Sequence, residues 1–387
     1  MKKIYLGLIA SFKDIDKVIN SFKFTINELS NHYEQITVIN SENLEFFQSR
    51  SSSYNNIDFG NDLNENIKFF NPQNVREFNT FIKDKEIILI NSLGRTFSEI
   101  KVHYLLNKKN IKQIMISNIG NIQGTKKPVF SRFLRYYFFK KIPYLLSLLF
   151  YGLGIFKKIE VRFVSNKDMY ENFKNKKFSY VKKLELINSR SFDELKIKKK
   201  EIQSNTIVFL NPDINHPEWI PKRGYIDPET EKKIYRIFEN FLDNLSSLYK
   251  KKIVVCIHPL NNLKKIQNLF KKYDVVQFKT PENILKAHLV VFADSSSIVD
   301  AIILKKRIIC IKCLDMEEKK LEFIPAYHDI GLFEINLEEN YQINLKDLEN
   351  KLLDSIQNYE KYNKRFASPD DKNIGVIKIA KYIKDNF

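Results

Sequence analysis

The chain has 387 residues, of which 43% are hydrophobic, and a formal net charge of +18. This length suits two domains, and this apolar content argues against a disordered chain. Its three cysteines form no even-numbered framework, which favours a reducing cytoplasm over secretion. The charge leaves three classes of partner to consider: nucleic acid, an anionic membrane surface and phosphorylated substrates.

The first half of the chain alternates strand-like and helix-like segments. Residues 2–11 predict a first strand rather than a signal peptide, because charge follows at Lys13 and no cleavage pattern is present. Further strands are expected at 33–40, 86–91, 112–118, 160–166 and 181–187, with helices at 14–30 and 97–107. Such alternation predicts a parallel sheet with crossover helices.

Residues 126–167 interrupt this rhythm. They contain an uncharged run, Ile142 to Phe156, with lysines and arginines on both sides that are opposed only by Glu160. The run is shorter than the roughly 20 apolar residues that a membrane-spanning helix needs. Two hypotheses follow: a segment that lies on an anionic membrane surface, or a buried core helix with solvated basic ends.

A lysine-rich polar stretch, 191–205, predicts an interdomain linker. The α/β rhythm then restarts, with strands expected at 206–213, 252–258, 274–278, 289–294 and 307–312. The predicted division is a first domain over 1–190, a second over 206–365 and a terminal helix over 366–387.

Three loops of the second domain follow predicted strands, so they are expected to share one edge of its sheet. They are 211–219, His258-Pro259 and 293–301, and the last contains Ser295, Ser296 and Ser297. Serines before a helix cap it, and they can also hold an anion. A histidine and a serine cluster on neighbouring strand ends could grip one phosphate, and the imidazole could protonate it as a leaving group.

The sequence CIHP at 256–259, followed by ADSSSIVDA at 293–301, resembles the His-Pro and Ser-Ser motif pair of bacterial GT-B glycosyltransferases. This group includes sialyltransferases, polysialyltransferases and Kdo transferases and, more distantly, CDP-glycerol glycerophosphotransferases. The resemblance covers about residues 205–313. It implies an α/β, GT-B-like fold with two Rossmann-like domains facing across a cleft and a C-terminal helix that packs back. The first domain would then serve the acceptor and the second would bind the nucleotide sugar.

The same resemblance implies roles for individual residues. His258 and two of Ser295, Ser296 and Ser297 would contact the phosphate of a CMP-activated donor. Three further residues are candidate donor contacts: Pro259, Glu282 and Asp294. Asp294 could equally be a helix N-cap, and Pro281 makes helix initiation an alternative account of Glu282.

The chain departs from the sialyltransferases in lacking the acidic pair before glycine that supplies their catalytic base. Asp213 is the leading candidate for that base, although it could be only a turn residue. Further candidates are His216, Asp14 and Glu99, the last two after strands of the first domain.

The resulting prediction is a glycosyltransferase of surface polysaccharide, lipopolysaccharide or capsule biosynthesis. It would move a sialic-acid-like nonulosonate or Kdo from a CMP-linked donor to a glycan or a lipid-linked glycan acceptor. Its expected location is the cytoplasm or the inner face of the cytoplasmic membrane. Alternatives are a CDP-glycerol or ribitol phosphotransferase and a UDP-sugar 2-epimerase.

Metals, cofactors and nucleic acid are not expected. Cys310 and Cys313 have no second cysteine pair to complete a metal site. Neither a dinucleotide-binding GxGxxG motif nor a P-loop occurs. Basic residues are spread along the chain without an RRM, KH or helix-turn-helix pattern, which argues against a nucleic-acid-binding protein.

Overall fold

The computed structural model describes residues 4–10, 15–45, 63–83, 85–93, 97–117, 142–175, 180–198, 205–212, 214–215, 225–258, 261–293, 295, 297–313, 330–337, 344–369 and 373–387. They divide into two compact units. One contains the described residues up to Glu194 together with those from Ser368 to Phe387, and the other contains those from Leu195 to Ala367.

Seven described strands form one parallel sheet in the first unit, in the order β3-β2-β1-β4-β5-β6-β7. They are β1 (Ile4–Ala10), β2 (Ile36–Asn40), β3 (Ile67–Phe70), β4 (Glu86–Asn91), β5 (Lys112–Ser117), β6 (Ile159–Val164) and β7 (Val181–Leu186). The central strands β1 and β4 contain long apolar runs because helices cover both faces of a parallel sheet.

Six helices built from described residues accompany this sheet or follow it. They are α1 (Ile15–Ser30), α2 (Val75–Ile82), α3 (Phe97–Lys108), α4 (Ile142–Gly152), α5 (Lys167–Lys174) and α6 (Arg190–Lys198). The last of them occupies the first part of the stretch predicted as a linker. Its Asp193 is buried, and the side chain accepts a hydrogen bond from the backbone N–H of Val376 at 3.2 Å.

The second unit repeats the same design. Its described strands are β8 (Thr206–Leu210), β9 (Lys252–Ile257), β10 (Asp274–Gln277), β11 (Ala287–Phe292), β12 (Arg307–Cys313) and β13 (Phe333–Leu337). All are parallel, in the order β10-β9-β8-β11-β12-β13. The chain begins at the centre, builds outward on one side and then continues on the other, so the strand order reverses between β8 and β11. Ligands of such sheets bind outside the carboxyl ends of the strands at this reversal.

Helices α7 (Pro228–Tyr249), α8 (Leu263–Leu269), α9 (Thr280–Lys286), α10 (Ile298–Ile303) and α11 (Leu345–Tyr362) belong to this unit. The longest, α7, begins where Asp227 accepts hydrogen bonds from the N–H groups of Glu229 and Thr230 at 3.1 and 2.9 Å. It ends at Lys250 in the left-handed conformation. Its buried apolar side, which includes Phe238, packs on one face of the sheet.

The final helix, α12 (Gly375–Asn386), packs back on the first unit, as predicted. Val376, Ile379 and Ile383 are buried in the core beneath the first sheet, and α12 also lies against α1. Together the two Rossmann-like sheets and the returning helix confirm the predicted α/β architecture of each unit.

Candidate functional site

Three strand ends lie side by side at the carboxyl edge of the second sheet. Leu210, the last residue of β8, pairs with Cys256 of β9 on one side and with Phe292 of β11 on the other. Adjacent strands lie roughly 4.8 Å apart, so β9 and β11 are separated by about 10 Å with the end of β8 between them. The residues that leave these strands are therefore close enough to contact one small anionic group.

Asn211 follows β8 directly and occupies the centre of this edge. It is only 5% exposed, and its backbone N–H donates to the carbonyl oxygen of Cys256 at 3.0 Å. Neither Oδ1 nor Nδ2 has a hydrogen-bond partner within the described part of the chain. Leaving a buried amide unsatisfied costs about 1–3 kcal/mol, so Asn211 is a polar group that a bound ligand can complete.

His258 follows β9 directly and is exposed at the edge. Its carbonyl oxygen accepts from the backbone N–H of Asn261 at 2.9 Å and from Nε2 of Gln277 at 3.4 Å. These bonds tie the end of β9 to Asn261 and to Gln277 at the end of β10. The backbone of His258, the predicted phosphate-binding histidine, is thus fixed by hydrogen bonds, and the residue is exposed to solvent.

The third strand end carries Ser295 and Ser297, both half-buried. The hydroxyl oxygen of Ser295 accepts a hydrogen bond from the N–H of Ser297 at 3.3 Å. The carbonyl oxygen of Ser295 accepts one from the N–H of Ile298, also at 3.3 Å. Ser297 is the N-cap residue of α10, yet its own side chain makes no capping hydrogen bond. Because α10 has only six residues, the hydroxyls rather than a helix dipole are the groups that this loop offers to an anion.

Glu282 lies on the first turn of α9 and is exposed. The Cys256 thiol, two residues before His258, hydrogen-bonds to Thr280 and lies within electrostatic reach of Glu282. Burial raises the pKa of this thiol to about 12. The start of α9 therefore lies beside the end of β9, and Glu282 belongs to the same neighbourhood as His258.

Several predicted site residues lie outside the described residues: Asp14, Asp213, His216, Pro259, Asp294 and Ser296. Glu99 is described, in the first turn of α3 of the first unit, where it is 8% exposed. The structure thus brings His258, Ser295, Ser297 and Glu282 to one edge, and it adds Asn211.

Asn211 was missed by the sequence analysis, which took the charged Asp213 from the same loop. One signal was available, since a polar residue immediately follows the apolar run TIVFL. The first residue after a parallel strand lies at the carboxyl edge of the sheet, whether or not its side chain is charged.

No group of three or more His, Cys, Asp or Glu side chains among the described residues is arranged to hold a metal ion. None of the helices built from these residues combines the length and the hydropathy required to cross a bilayer.

No protein-family model and no curated protein sequence matches the chain. Solved structures do match. The UDP-GlcNAc 2-epimerase from Methanocaldococcus jannaschii superposes with a TM-score of 0.52 and 14% identity, covering 100% of each chain. A variant of the wall teichoic acid polymerase TagF gives a TM-score of 0.51 and 13% identity, covering 99% of this chain and 87% of the polymerase.

The chain has a GT-B-like fold. The same polymerase soaked with CDPG matches with a TM-score of 0.51 and 14% identity, over 100% of this chain and 89% of the other. At these identities, what the chain shares with both enzymes is this fold. The predicted fold class is confirmed.

Proposed function

We propose that the chain is a glycosyltransferase that binds a nucleotide-activated sugar at the carboxyl edge of β8, β9 and β11. One observation carries the proposal: Asn211, a buried amide without a partner among the described residues, lies between the strand ends that carry His258 and Ser295. An imidazole, an amide and hydroxyls around one point match a phosphate, which accepts several hydrogen bonds at once.

The donor we propose is a CMP-linked sugar of the nonulosonate or Kdo type, on the strength of the His-Pro and Ser-Ser motif pair. In transfer, the bond between the anomeric carbon and the phosphate oxygen breaks, and its electron pair stays on that oxygen. Protonated His258 stabilises the departing phosphate by donating a hydrogen bond or its proton. Hydroxyls of Ser295 and Ser297 and the Asn211 amide hold the same group without a metal.

An acceptor hydroxyl attacks the anomeric carbon and loses its proton to a base. Asp213 is the proposed base, because it follows Asn211 by two residues in the same loop. His216, in that loop, and Asp14 and Glu99, in the first unit, are the remaining candidates. Glu282 is proposed to contact the nucleotide, since it lies near the end of β9. Pro259 and Asp294 complete the proposed donor contacts, and the acceptor is proposed to be a surface glycan or its lipid-linked precursor.

Likeness of fold to TagF and to a UDP-GlcNAc 2-epimerase supports two alternative candidates. In a CDP-alditol phosphotransferase the same edge would hold a diphosphate, and a P–O bond would break instead of a C–O bond. In an epimerase the edge would hold UDP. All three chemistries use the strand ends described above: the glycosyltransferase breaks a C–O bond, the phosphotransferase breaks a P–O bond, and epimerisation requires that the C2–H bond break and re-form.

Product analysis distinguishes them. The full chain is incubated separately with a CMP-linked sialic acid, CMP-Kdo, CDP-glycerol and UDP-GlcNAc, with and without a glycan acceptor, and the products are identified by mass spectrometry. The proposal expects CMP together with free or transferred sugar that carries no phosphate. Transfer of glycerol phosphate, or a change at C2 of the UDP sugar, would replace it with one of the alternatives.

A further inference from the structure

The helix α4 exposes a row of leucines. Leu145, Leu149 and Leu153 are 52%, 53% and 65% exposed, and Ile155 beyond them is 49% exposed. Residues four apart lie on one side of a helix. The backbone N–H of Leu153 bonds to the carbonyl oxygen of Leu149 at 2.8 Å, so the row continues past the last residue of α4. We call these four side chains the leucine surface.

The other side of α4 accounts for its place in the fold. Ser147 and Tyr151 are 1% and 5% exposed, and Tyr151 packs against Phe156 and Tyr180 in a small aromatic core. This side anchors the helix to the first unit. Because its buried side fixes the helix in place, the leucines are exposed in a well-packed helix.

The charged residues that directly flank this apolar run in sequence are all lysines. No charged residue occurs from 142 to 156, and Lys157 and Lys158, which follow, are exposed. The first carboxylate after them, Glu160, forms an ion pair with Lys182 at 2.7 Å. In sequence, Lys140 and Lys141 precede the run. An apolar row with lysines at its ends complements a surface whose outer layer is anionic and whose interior is apolar.

Length decides how the helix could meet a bilayer. With 11 residues, α4 is about 16 Å long, against a hydrocarbon core of about 30 Å. It can lie in the plane of the interface but cannot cross. A second copy of this chain is a poorer occupant, because two such surfaces would bring lysines against lysines.

We propose that the leucine surface binds the interface of an anionic bilayer, with α4 parallel to the membrane plane and its leucines in the boundary between headgroups and acyl chains. Lys157 and Lys158 would contact the anionic headgroups. This binding is separate from nucleotide recognition, because it uses residues of the first unit and no residue of the strand ends in the second.

Vesicle flotation tests the proposal with the full chain. Wild-type protein is expected to float with phosphatidylcholine vesicles that contain phosphatidylglycerol, and to float much less with phosphatidylcholine alone or at high salt. Leu149→Glu is expected to lower the partition coefficient at least about tenfold, since it places a charge in the apolar layer. The matched control is Leu353→Glu, on α11, where the leucine is 50% exposed.

Charge is tested in the same assay. Lys158→Glu is expected to weaken binding to the anionic vesicles, whereas Lys232→Glu, which makes the same charge change at an exposed position of α7, is not. Thermal melts establish that each variant is folded, and Leu149→Gln replaces Leu149→Glu if the latter is not.

Three results would overturn the proposal. Wild-type protein could remain with the unbound fraction, or Leu149→Glu and Leu353→Glu could weaken flotation equally. Light scattering could also show a wild-type dimer that Leu149→Glu converts to a monomer, which would make the leucine surface a subunit interface.

Discussion

The backbone N–H of Asn211 donates to the carbonyl oxygen of Cys256 at 3.0 Å, and His258 stands two residues beyond that carbonyl. This hydrogen bond comes directly after Leu210 and Cys256, the last paired residues of β8 and β9. It therefore fixes the point at which both strands leave the sheet. It places a buried amide next to the segment that carries an exposed imidazole. The proposed phosphate site depends on this placement.

Replacing the Asn211 amide should separate stability from binding. Asn211→Leu removes a buried amide without a partner in the described structure, so it should raise the free energy of unfolding of the ligand-free protein by about 1–3 kcal/mol. The same change should weaken nucleotide binding. Urea unfolding and calorimetric titration with CMP measure the two effects.

Asn91 offers the matched control for that substitution. It is 2% exposed, and its side chain bonds to Gln113 at 2.7 Å and to the N–H of Leu93 at 2.9 Å. Asn91→Leu should therefore destabilise the protein by about 1–3 kcal/mol, because its partners lose their bonds. If both variants destabilise alike, Asn211 is an ordinary structural amide.

Ser295 and Ser297 should differ in what they contribute to stability. Ser295→Ala removes the acceptor of the Ser297 N–H and should cost about 1 kcal/mol of unfolding free energy. Ser297→Ala removes no capping bond and should change stability by less than about 0.5 kcal/mol. Both substitutions should weaken CMP binding. Ser297→Ala with unchanged affinity would remove that hydroxyl from the proposed site.

The terminal helix should contribute to the stability of the first unit. Ile379→Ala leaves a cavity at a fully buried position and should lower the free energy of unfolding by about 2–5 kcal/mol. Ile377, on the same helix, is 48% exposed, so Ile377→Ala should lower it by less than about 0.5 kcal/mol. Urea unfolding of both variants measures the difference. Equal costs would mean that α12 does not pack as described.

His288 should make stability depend on pH. Its pKa is lowered by burial and then by the positive charges of Arg307 and Lys251, against a smaller opposing effect of Glu349. Below the ordinary value of 6.5 the unfolded chain binds more protons at this position than the folded protein does, so stability falls as the pH drops through that value. Urea midpoints at several pH values should show this fall in the wild type and a flatter profile in His288→Phe. An unchanged profile would assign the effect to other groups.

The central strands of both sheets could be predicted from sequence, because strands buried on both faces leave uninterrupted apolar runs such as TIVFL and IVVCI. Strands β3 and β13 could not. Lys68 and Phe69 of β3 are exposed, as expected of an edge strand, so no apolar run marks it. The helix α6 was also missed, since its polar composition hides a contact with α12 that is distant in sequence.

The candidate site was predictable in part for the same reason. Polar residues after apolar strands pointed to His258 and to the serines. What distinguishes Asn211 is the lack of a partner in its buried position, and that property belongs to the folded chain and to no pattern of residues. The assignment of Asp213 as the base, by contrast, rests only on its position in the sequence, two residues after Asn211.

Binding of CMP by wild type, His258→Ala and His288→Ala is the most direct measurement of the central claim. His288 is the matched histidine, since it lies near the amino end of β11 and packs against Tyr249. A ligand of the folded state at about 100 times its Kd adds roughly 2.7 kcal/mol of stability. Thermal unfolding should therefore show CMP raising the Tm of the wild type and of His288→Ala, with little or no rise in His258→Ala. An equal rise in all three proteins, or no rise in the wild type with CMP, CDP or UDP, would contradict a nucleotide phosphate site at this edge.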